Sequence, residues 1–431
     1  MKKITNRAVS VLLIAALIIV GMVVYVLRYV DEGRDWALYF SRANSGSTGV
    51  MLDRKGALLA AFDATTNAYS DDELTRISCY HVTGDYWGRT GTGALTNFWD
   101  EMHSFSLLTG TTRSESVSLT LNIDAELNKV AYQALNGRKG AVLLTNYRTG
   151  ELLCMVSGPS LDPLDADAEP PEGAYINRCL SASFTPGSVF KLITAAAAIE
   201  QISDIFDRTF YCEGVYEIAG VPIKCSGVHY TQTFEQALSN SCNVAFAQIA
   251  VMLGQDTMID YVRQYGFLDS HSLDGIPTAA GSYPLDFVGD PELGWSGIGQ
   301  STDLVCPYSL LRFVSAVANG GTLCEPKLIN DGKAAKTVSF MKADTAETLG
   351  AMMSYNVVNH YGGESNFPGL KLCAKTGTAE LGDGTSHAWF AGFLQDEEHP
   401  YAFVVLIEQG GGGLSAAGSL ANTLLQAAVN R

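Results

Sequence analysis

Ser188-Val189-Phe190-Lys191 follows Pro186-Gly187, and the i,i+3 spacing sets a hydroxyl and an amine side by side on one face of a helix that opens there. The helix continues as Leu192-Ile193-Thr194-Ala195-Ala196-Ala197-Ala198-Ile199, apolar nearly all round, so it is expected to be buried. Burial disfavours an ammonium, which would leave Lys191 able to take the Ser188 proton as a neutral amine. The helix N-terminus favours the negative charge that then develops. The chemistry implied is nucleophilic acyl transfer through Ser188.

Such a pair needs a group to relay a proton to the leaving amine and a strand to hold a substrate carboxylate, roles filled in known serine acyl enzymes by Ser-x-Asn and Lys-Thr-Gly. Both occur downstream, as Ser241-Cys242-Asn243 and Lys375-Thr376-Gly377-Thr378, the latter being the single Lys-Thr-Gly in the chain. A second set competes, with Ser339-Phe340-Met341-Lys342 and Ser354-Tyr355-Asn356 in the same order. Only 15 positions separate Ser339 from Ser354, against 53 between Ser188 and Ser241; the shorter gap leaves no room for two independent walls of a cleft. Lys342 also precedes Ala343-Asp344-Thr345-Ala346-Glu347, the polar face of an amphipathic helix, where a solvated lysine is expected.

The elements that must position these residues are legible in outline. Asp124 to Leu135 reads as an amphipathic helix capped near Asn122 or Asp124. Ala141 to Thr145 and Glu151 to Ser157 flank the turn Asn146 to Gly150, and His387 to Leu394 returns through Asp396 to Pro400 as Tyr401 to Glu408, giving two hairpins. A terminal helix follows Gly410 to Gly413, and the middle, Ser188 to about Tyr361, reads as mainly helical. Hairpins at both ends of a helical middle imply an α+β domain, its antiparallel sheet assembled from distant segments with helices packed on it.

Ala8 to Leu27 is twenty residues without a charge, long enough as a helix to cross a hydrocarbon core of about 30 Å. A cleaved leader is disfavoured by the length of the run and by the lack of a small-residue site before Arg28. Lys2, Lys3 and Arg7 precede the run and only Arg28 lies close behind it, so the N-terminus is expected in the cytoplasm and the remainder outside. The expected division is an anchor over 1–30, a small Gly-, Ser- and Thr-rich linker domain over 31–117, and a main domain over 118–431.

A net charge of −17, with no basic cluster beyond the N-terminus, argues against nucleic acid as a partner. The nine cysteines include no Cys-x-x-Cys, and the seven histidines form no His-x-x-x-His, so neither a metal nor another cofactor is expected. Cys212 and Cys225 flank a possible hairpin and could be either a disulfide or two free buried thiols. Gly410 to Gly413 lacks the Gly-Lys-Ser/Thr of a phosphate loop, and no Gly-x-Ser-x-Gly elbow is present.

Asn177-Arg178, Thr185 to Lys191, Ser241-Cys242-Asn243 and Lys375-Thr376-Gly377-Thr378-Ala379-Glu380 together resemble the transpeptidase domain of class B penicillin-binding proteins, over residues 118 to 431. Gly299-Gln300, Ala318-Asn319-Gly320-Gly321 and His387 to Gly392 resemble further family segments in order; Thr48-Gly49 and Cys306-Pro307 depart from it. The resemblance implies a serine β-lactamase/D,D-peptidase-like domain with a helical subdomain. It also implies a membrane-anchored D,D-transpeptidase that cross-links peptidoglycan stem peptides and is acylated by β-lactams. Lys191 would activate Ser188; Ser241 and Asn243 would relay the proton; Lys375, Thr376, Gly377 and Thr378 would hold the substrate carboxylate; the backbone N–H groups of Ser188 and Thr378 would bind the oxyanion. The stretch between anchor and main domain is too short for a second catalytic core, so a separate polymerase is expected; the resemblance implies that this partner is a membrane glycosyltransferase of the shape, elongation, division and sporulation family. A carboxypeptidase, a β-lactamase-type hydrolase and a non-catalytic β-lactam sensor are the competing readings. The few residues before the span argue against a sensor.

Overall fold

The computed structural model describes residues 2–43, 49–62, 67–102, 117–165, 169–284, 286 and 289–431. Thr48 and the stretch 103–116, both within the expected linker, lie outside them. Two compact units make up the chain: Met1–Val50, Ala61–Ala68 and Trp99–Ser118 form the smaller, and Met51–Ala60, Tyr69–Phe98 and Leu119–Arg431 the larger.

The smaller unit is dominated by helix α1, Lys2–Ala43. Within it, Arg7–Tyr29 has a mean hydropathy of 3.0 and no buried share, as befits an apolar helix with no protein packed around it. The helix continues past Arg28, where irregular structure was expected. Asp31, Glu32, Arg34 and Asp35 are compatible with helix, and only Gly33 disfavours it.

In the larger unit the principal elements, in chain order, are α2 (Glu73–Thr83), α3 (Ala125–Leu135), β1 (Gly140–Asn146), β2 (Leu152–Gly158), α4 (Lys191–Gln201), β3 (Thr209–Cys212), β4 (Val215–Ile218), β5 (Val221–Lys224), β6 (Tyr230–Thr233), α5 (Asn243–Leu253), α6 (Pro307–Ala318), α7 (Ala343–His360), β7 (Leu372–Glu380), β8 (Ser386–Leu394), β9 (Tyr401–Ile407) and α8 (Ser419–Val429). The five long strands pair antiparallel in the order β7-β8-β9-β1-β2, so the C-terminal hairpin docks directly on the N-terminal one. This is the α+β arrangement expected from the two hairpins.

Strand alternation divides the sheet residues between two faces. Val142, Leu144, Ala374, Phe390, Phe403 and Val405 share one core with Leu127 and Leu135 of α3 and Leu420 and Leu424 of α8. Phe390 and Phe403 are essentially fully buried there and stabilise by about 1.5–3 kcal/mol each. Lys375 and Trp389 take the alternate parity and point away from this core, toward the helical middle. Helix α6 packs against β8, β9 and β1. The Asp124 carboxylate caps α3 by accepting from the N–H groups of Glu126 and Leu127 at 3.0 and 3.4 Å.

Two segments depart from expectation. The middle carries most of the helices but also strands, chiefly between Thr209 and Thr233, where β3 pairs with β6 and β4 with β5 as two short antiparallel ribbons, and in two smaller pairs, Ser272–Leu273 with Ile276–Pro277 and Thr322–Cys324 with Thr337–Ser339. Ala219 and Gly220, at φ 47° and 82°, supply the left-handed pair that closes a two-residue hairpin. Tyr69–Phe98, expected in the linker, packs within the larger unit, α2 lying on α3 and β2. Its buried face of Ser78, Cys79, Tyr80 and Val82 needs a partner, and α3 supplies one.

Candidate active site

Pro186 ends an extended approach, and Gly187–Phe190 winds as a single 3₁₀ turn that runs into α4. Gly187 has φ +55°, and a Cβ there would lie 2.8 Å from the Thr378 carbonyl oxygen. Its own N–H donates to Gly299 O at 2.8 Å. Only glycine satisfies both the left-handed backbone and the approach to β7. Gly377 answers from the strand side, where a Cβ would meet Pro186 O at 2.9 Å. The turn carrying Ser188 is thereby pressed against the edge strand of the sheet.

Lys191 follows one turn on and is fully buried. Its Nζ lies 2.8 Å from Ser188 Oγ, 2.7 Å from Ser241 O, 2.7 Å from Asn243 Oδ1 and 3.4 Å from Ser241 Oγ. Lys375 Nζ, equally buried, lies 2.9 Å from Ser241 Oγ and 3.0 Å from Thr376 O. One polar chain therefore runs Ser188–Lys191–Ser241–Lys375. Ser241 itself sits at φ +54°, a cost a non-glycine residue bears only where its surroundings hold it in place.

Burial strips the hydration that an ammonium needs, and it brings the Lys191 pKa down to about 8. Lys375 is driven well below its ordinary range, first by burial and then by the neighbouring Lys191 charge. A neutral amine has two N–H donors and one lone pair. Ser241 O and Asn243 Oδ1 can only accept, the latter because Asn243 Nδ2 donates to Lys224 O at 2.9 Å. Both N–H groups of a neutral Lys191 are thus committed to these acceptors, and the lone pair faces the Ser188 hydroxyl. The arrangement can take a proton from Ser188 without any side chain moving.

On the other side of β7, Thr376 and Thr378 line an open cleft of about 710 Å³ together with His360, Tyr361, Asn366, Ser415 and Asn422. The buried Tyr361 hydroxyl accepts from Thr376 N and Thr376 Oγ1, each at 3.2 Å, and Thr378 Oγ1 accepts from Gly413 N at 3.3 Å. Trp389 Nε1 donates to Thr185 O at 2.9 Å, pinning the approach to the nucleophile turn onto β8.

The structure brings together Ser188, Lys191, Ser241, Asn243 and Lys375, and it sets Thr376, Gly377 and Thr378 along the adjoining strand edge. It does not assemble the competing set. Lys342 is 62% exposed and pairs with Glu200 at 2.8 Å, while Asn356 is buried and donates to Ala374 O at 3.1 Å, serving as a helix-to-sheet tie. Tyr361 was not singled out in the sequence, where nothing marks a tyrosine fifteen residues before the strand residue it supports. Cys212, Cys225, His229 and Cys242 also converge beside Ser241 and Asn243, their donor atoms all within 4.8 Å of one another. Cys212 is a buried and Cys225 a half-buried free thiol.

Residues 140–426 match the penicillin-binding protein transpeptidase domain. The chain belongs to that family. Among curated members, this penicillin-binding protein transpeptidase is 27% identical over 336 residues to stage V sporulation protein D of Bacillus subtilis, covering 71% of this chain and 52% of that protein. It is 30% identical over 321 residues to the peptidoglycan D,D-transpeptidase PbpA of Mycobacterium tuberculosis, covering 65% of this chain and 64% of PbpA. The chain thus spans about half to two thirds of the length of these relatives. Among solved structures, the D,D-transpeptidase domain of a peptidoglycan glycosyltransferase from Eggerthella lenta superposes with a TM-score of 0.76 at 23% identity, over 90% of this chain and 99% of that one. The ceftriaxone acyl-enzyme of M. tuberculosis penicillin-binding protein A gives 0.74 at 22% identity, over 90% and 100%. These likenesses show the shared fold.

Proposed function

We propose that this chain is a serine D,D-transpeptidase that cross-links peptidoglycan stem peptides through an acyl-enzyme on Ser188. The carrying observation is Lys191, buried, with both amine hydrogens committed to Ser241 O and Asn243 Oδ1 and the Ser188 hydroxyl 2.8 Å away.

Ser188 Oγ attacks the carbonyl carbon of the penultimate D-alanine as its proton passes to the Lys191 amine. The oxyanion is met by the backbone N–H groups of Ser188 and Thr378, on two segments that Gly187 and Gly377 allow into contact. Collapse breaks the C–N bond. The proton travels from Lys191 through Ser241, which both lysines touch, to the departing D-alanine amine. An amine of a second stem peptide then attacks the ester, gives its proton to Lys191, and releases Ser188 as the proton returns to Oγ. Lys375, whose charge an arriving carboxylate favours, and the Thr378 hydroxyl hold the terminal carboxylate, and Thr376 joins them as its hydroxyl turns from Tyr361. A β-lactam enters by the same attack and stays because its leaving amine remains tethered.

The apolar helix Arg7–Tyr29 supports a single-pass anchor in the cytoplasmic membrane over 1–30 with residues beyond it outside, while much of 31–117, Met51–Ala60 and Tyr69–Phe98, belongs with the transpeptidase unit. A membrane glycosyltransferase of the shape, elongation, division and sporulation family is the partner we infer, contacted through the anchor and the segment after it. The decisive experiment supplies lipid-linked precursor, such a polymerase and this protein, then digests the product for mass spectrometry. Cross-linked muropeptides are expected. Trimmed monomers with free D-alanine would make the protein a carboxypeptidase, and penicillin acylation with neither product would leave a sensor.

A further inference from the structure

Four soft donors meet next to the Ser241-Cys242-Asn243 turn, spaced in the chain as Cys-x12-Cys-x3-His-x12-Cys. Cys212 ends β3, Cys225 follows β5, His229 precedes β6, and Cys242 caps α5. Cys225 Sγ lies 3.9 Å from Cys242 Sγ and 3.6 Å from His229 Nδ1, and all four donor atoms fall within 4.8 Å of one another. A tetrahedral zinc with Zn–S of about 2.3 Å and Zn–N of about 2.0 Å places its ligand atoms roughly 3.5–3.8 Å apart. The observed spacing needs only a small contraction to reach that shape.

A second observation points the same way. Each sulfur accepts a backbone N–H: Cys212 from Gly214 at 3.4 Å, Cys225 from Asn243 at 3.3 Å, and Cys242 from Ala245 at 3.4 Å. Backbone donors turned toward sulfur suit thiolates that carry charge onto a metal. The surroundings also leave the ribbons short of other support. The local core beneath them is small, Ile218, Ile223 and Ala247 with the half-buried Val251 and Trp295 against it, and strands of four residues gain from a staple.

We propose that Cys212, Cys225, His229 and Cys242 bind one zinc ion as a closed structural site that ties the ribbons β3–β6 to the Ser241–Asn243 turn. Three thiolates and an imidazole favour zinc over hard cations and fill the tetrahedron, leaving no position open for a substrate or water. Binding releases the thiol protons to solvent and changes no oxidation state. The ligand Cys242 stands between the two residues that orient Lys191, and Lys224, next to the ligand Cys225, accepts from Asn243. The metal would therefore fix the strained Ser241 backbone from behind. The effect on acylation rests on the function proposed above; the metal content does not.

The test is the full chain in detergent, purified with and without zinc in the growth medium under conditions that keep thiols reduced. Elemental analysis is expected to give about one zinc per chain, and cobalt substitution the visible bands of a tetrahedral thiolate site. Cys212→Ser and His229→Ala should each lose the metal, while Cys324→Ser, whose buried thiol donates to Arg148 O at 3.1 Å, should keep it. If the ligand variants fail to fold, stoichiometry and the cobalt spectrum of the unaltered chain still decide. Metal-free protein without a thiolate–cobalt band, or a Cys225–Cys242 disulfide mapped in protein taken from the cell envelope, overturns the site. Labelling by fluorescent penicillin, followed separately before and after chelation, is expected to slow as zinc leaves. Absent labelling in both forms would count against the acyl-enzyme reading and leave the zinc result standing.

Discussion

Acylation should follow the titration of Lys191. With its pKa brought to about 8 by burial, roughly a tenth of the protein holds a neutral amine at pH 7, whereas an unburied lysine near 10.4 would offer less than about a thousandth. The sign follows from the role: the base is the deprotonated form, so the rate climbs as pH rises and levels once the amine is mostly neutral. The second-order rate of labelling by a fluorescent penicillin should therefore rise close to tenfold per unit below pH 7 and flatten above about 8.5. Lys375 is close enough to be felt in the same transition, so the apparent midpoint belongs to the pair. Lys191→Arg supplies the control, because a guanidinium stays protonated throughout the range. Rates from quenched time courses between pH 5.5 and 9.5, with intrinsic fluorescence confirming the fold at each pH, suffice. A flat profile, a rise that continues without levelling to pH 9.5, or an active Lys191→Arg would each refute Lys191 as the base.

Ser188→Ala should abolish covalent labelling and Ser339→Ala should leave it intact; the reverse pattern would move the nucleophile to the competing set. Lys375→Ala should slow acylation by carboxylate-bearing β-lactams about 10- to 100-fold, the equivalent of one charge-assisted hydrogen bond of roughly 1.5–3 kcal/mol, with unchanged kinetics removing Lys375 from the site. Gly187→Ala puts a methyl 2.8 Å from Thr378 O at φ +55°, and should lower acylation about 5- to 150-fold through strain of roughly 1–3 kcal/mol. Thermal melting would show whether the whole domain or only the turn has suffered.

The convergence of Ser188, Lys191, Ser241, Asn243 and Lys375 is readable because each motif states the chemistry it could do and its neighbours state its environment. Leu192 to Ile199 announced that Lys191 would be buried, and Asp344 and Glu347 announced that Lys342 would not. Both hairpins and the Asp124 cap were equally local. What escaped depends on contacts that no window of sequence contains. Cys225 and Cys242 meet because two ribbons fold back on α5, and strands of four residues leave little periodicity to detect. Helix α2 reads as part of a linker until α3 is there to cover it. Tyr361 has no role until β7 arrives beside it.

The sheet order also says something about when the protein can work. Strands β1 and β2 are complete by residue 158, yet β1 pairs with β9, and Lys375 arrives on β7 only after more than two hundred intervening residues. Contacts of such separation make for high contact order, and folding waits on them. A chain threaded across a membrane from its N-terminus, as proposed here, has Ser188 and Lys191 outside long before the strands that complete the site have followed. Until the last of them emerges, the exported segment has a potential nucleophile but no enclosed base to activate it, and the half-built sheet presents an open edge that other chains could join. Whatever escorts such proteins through export has that interval to guard.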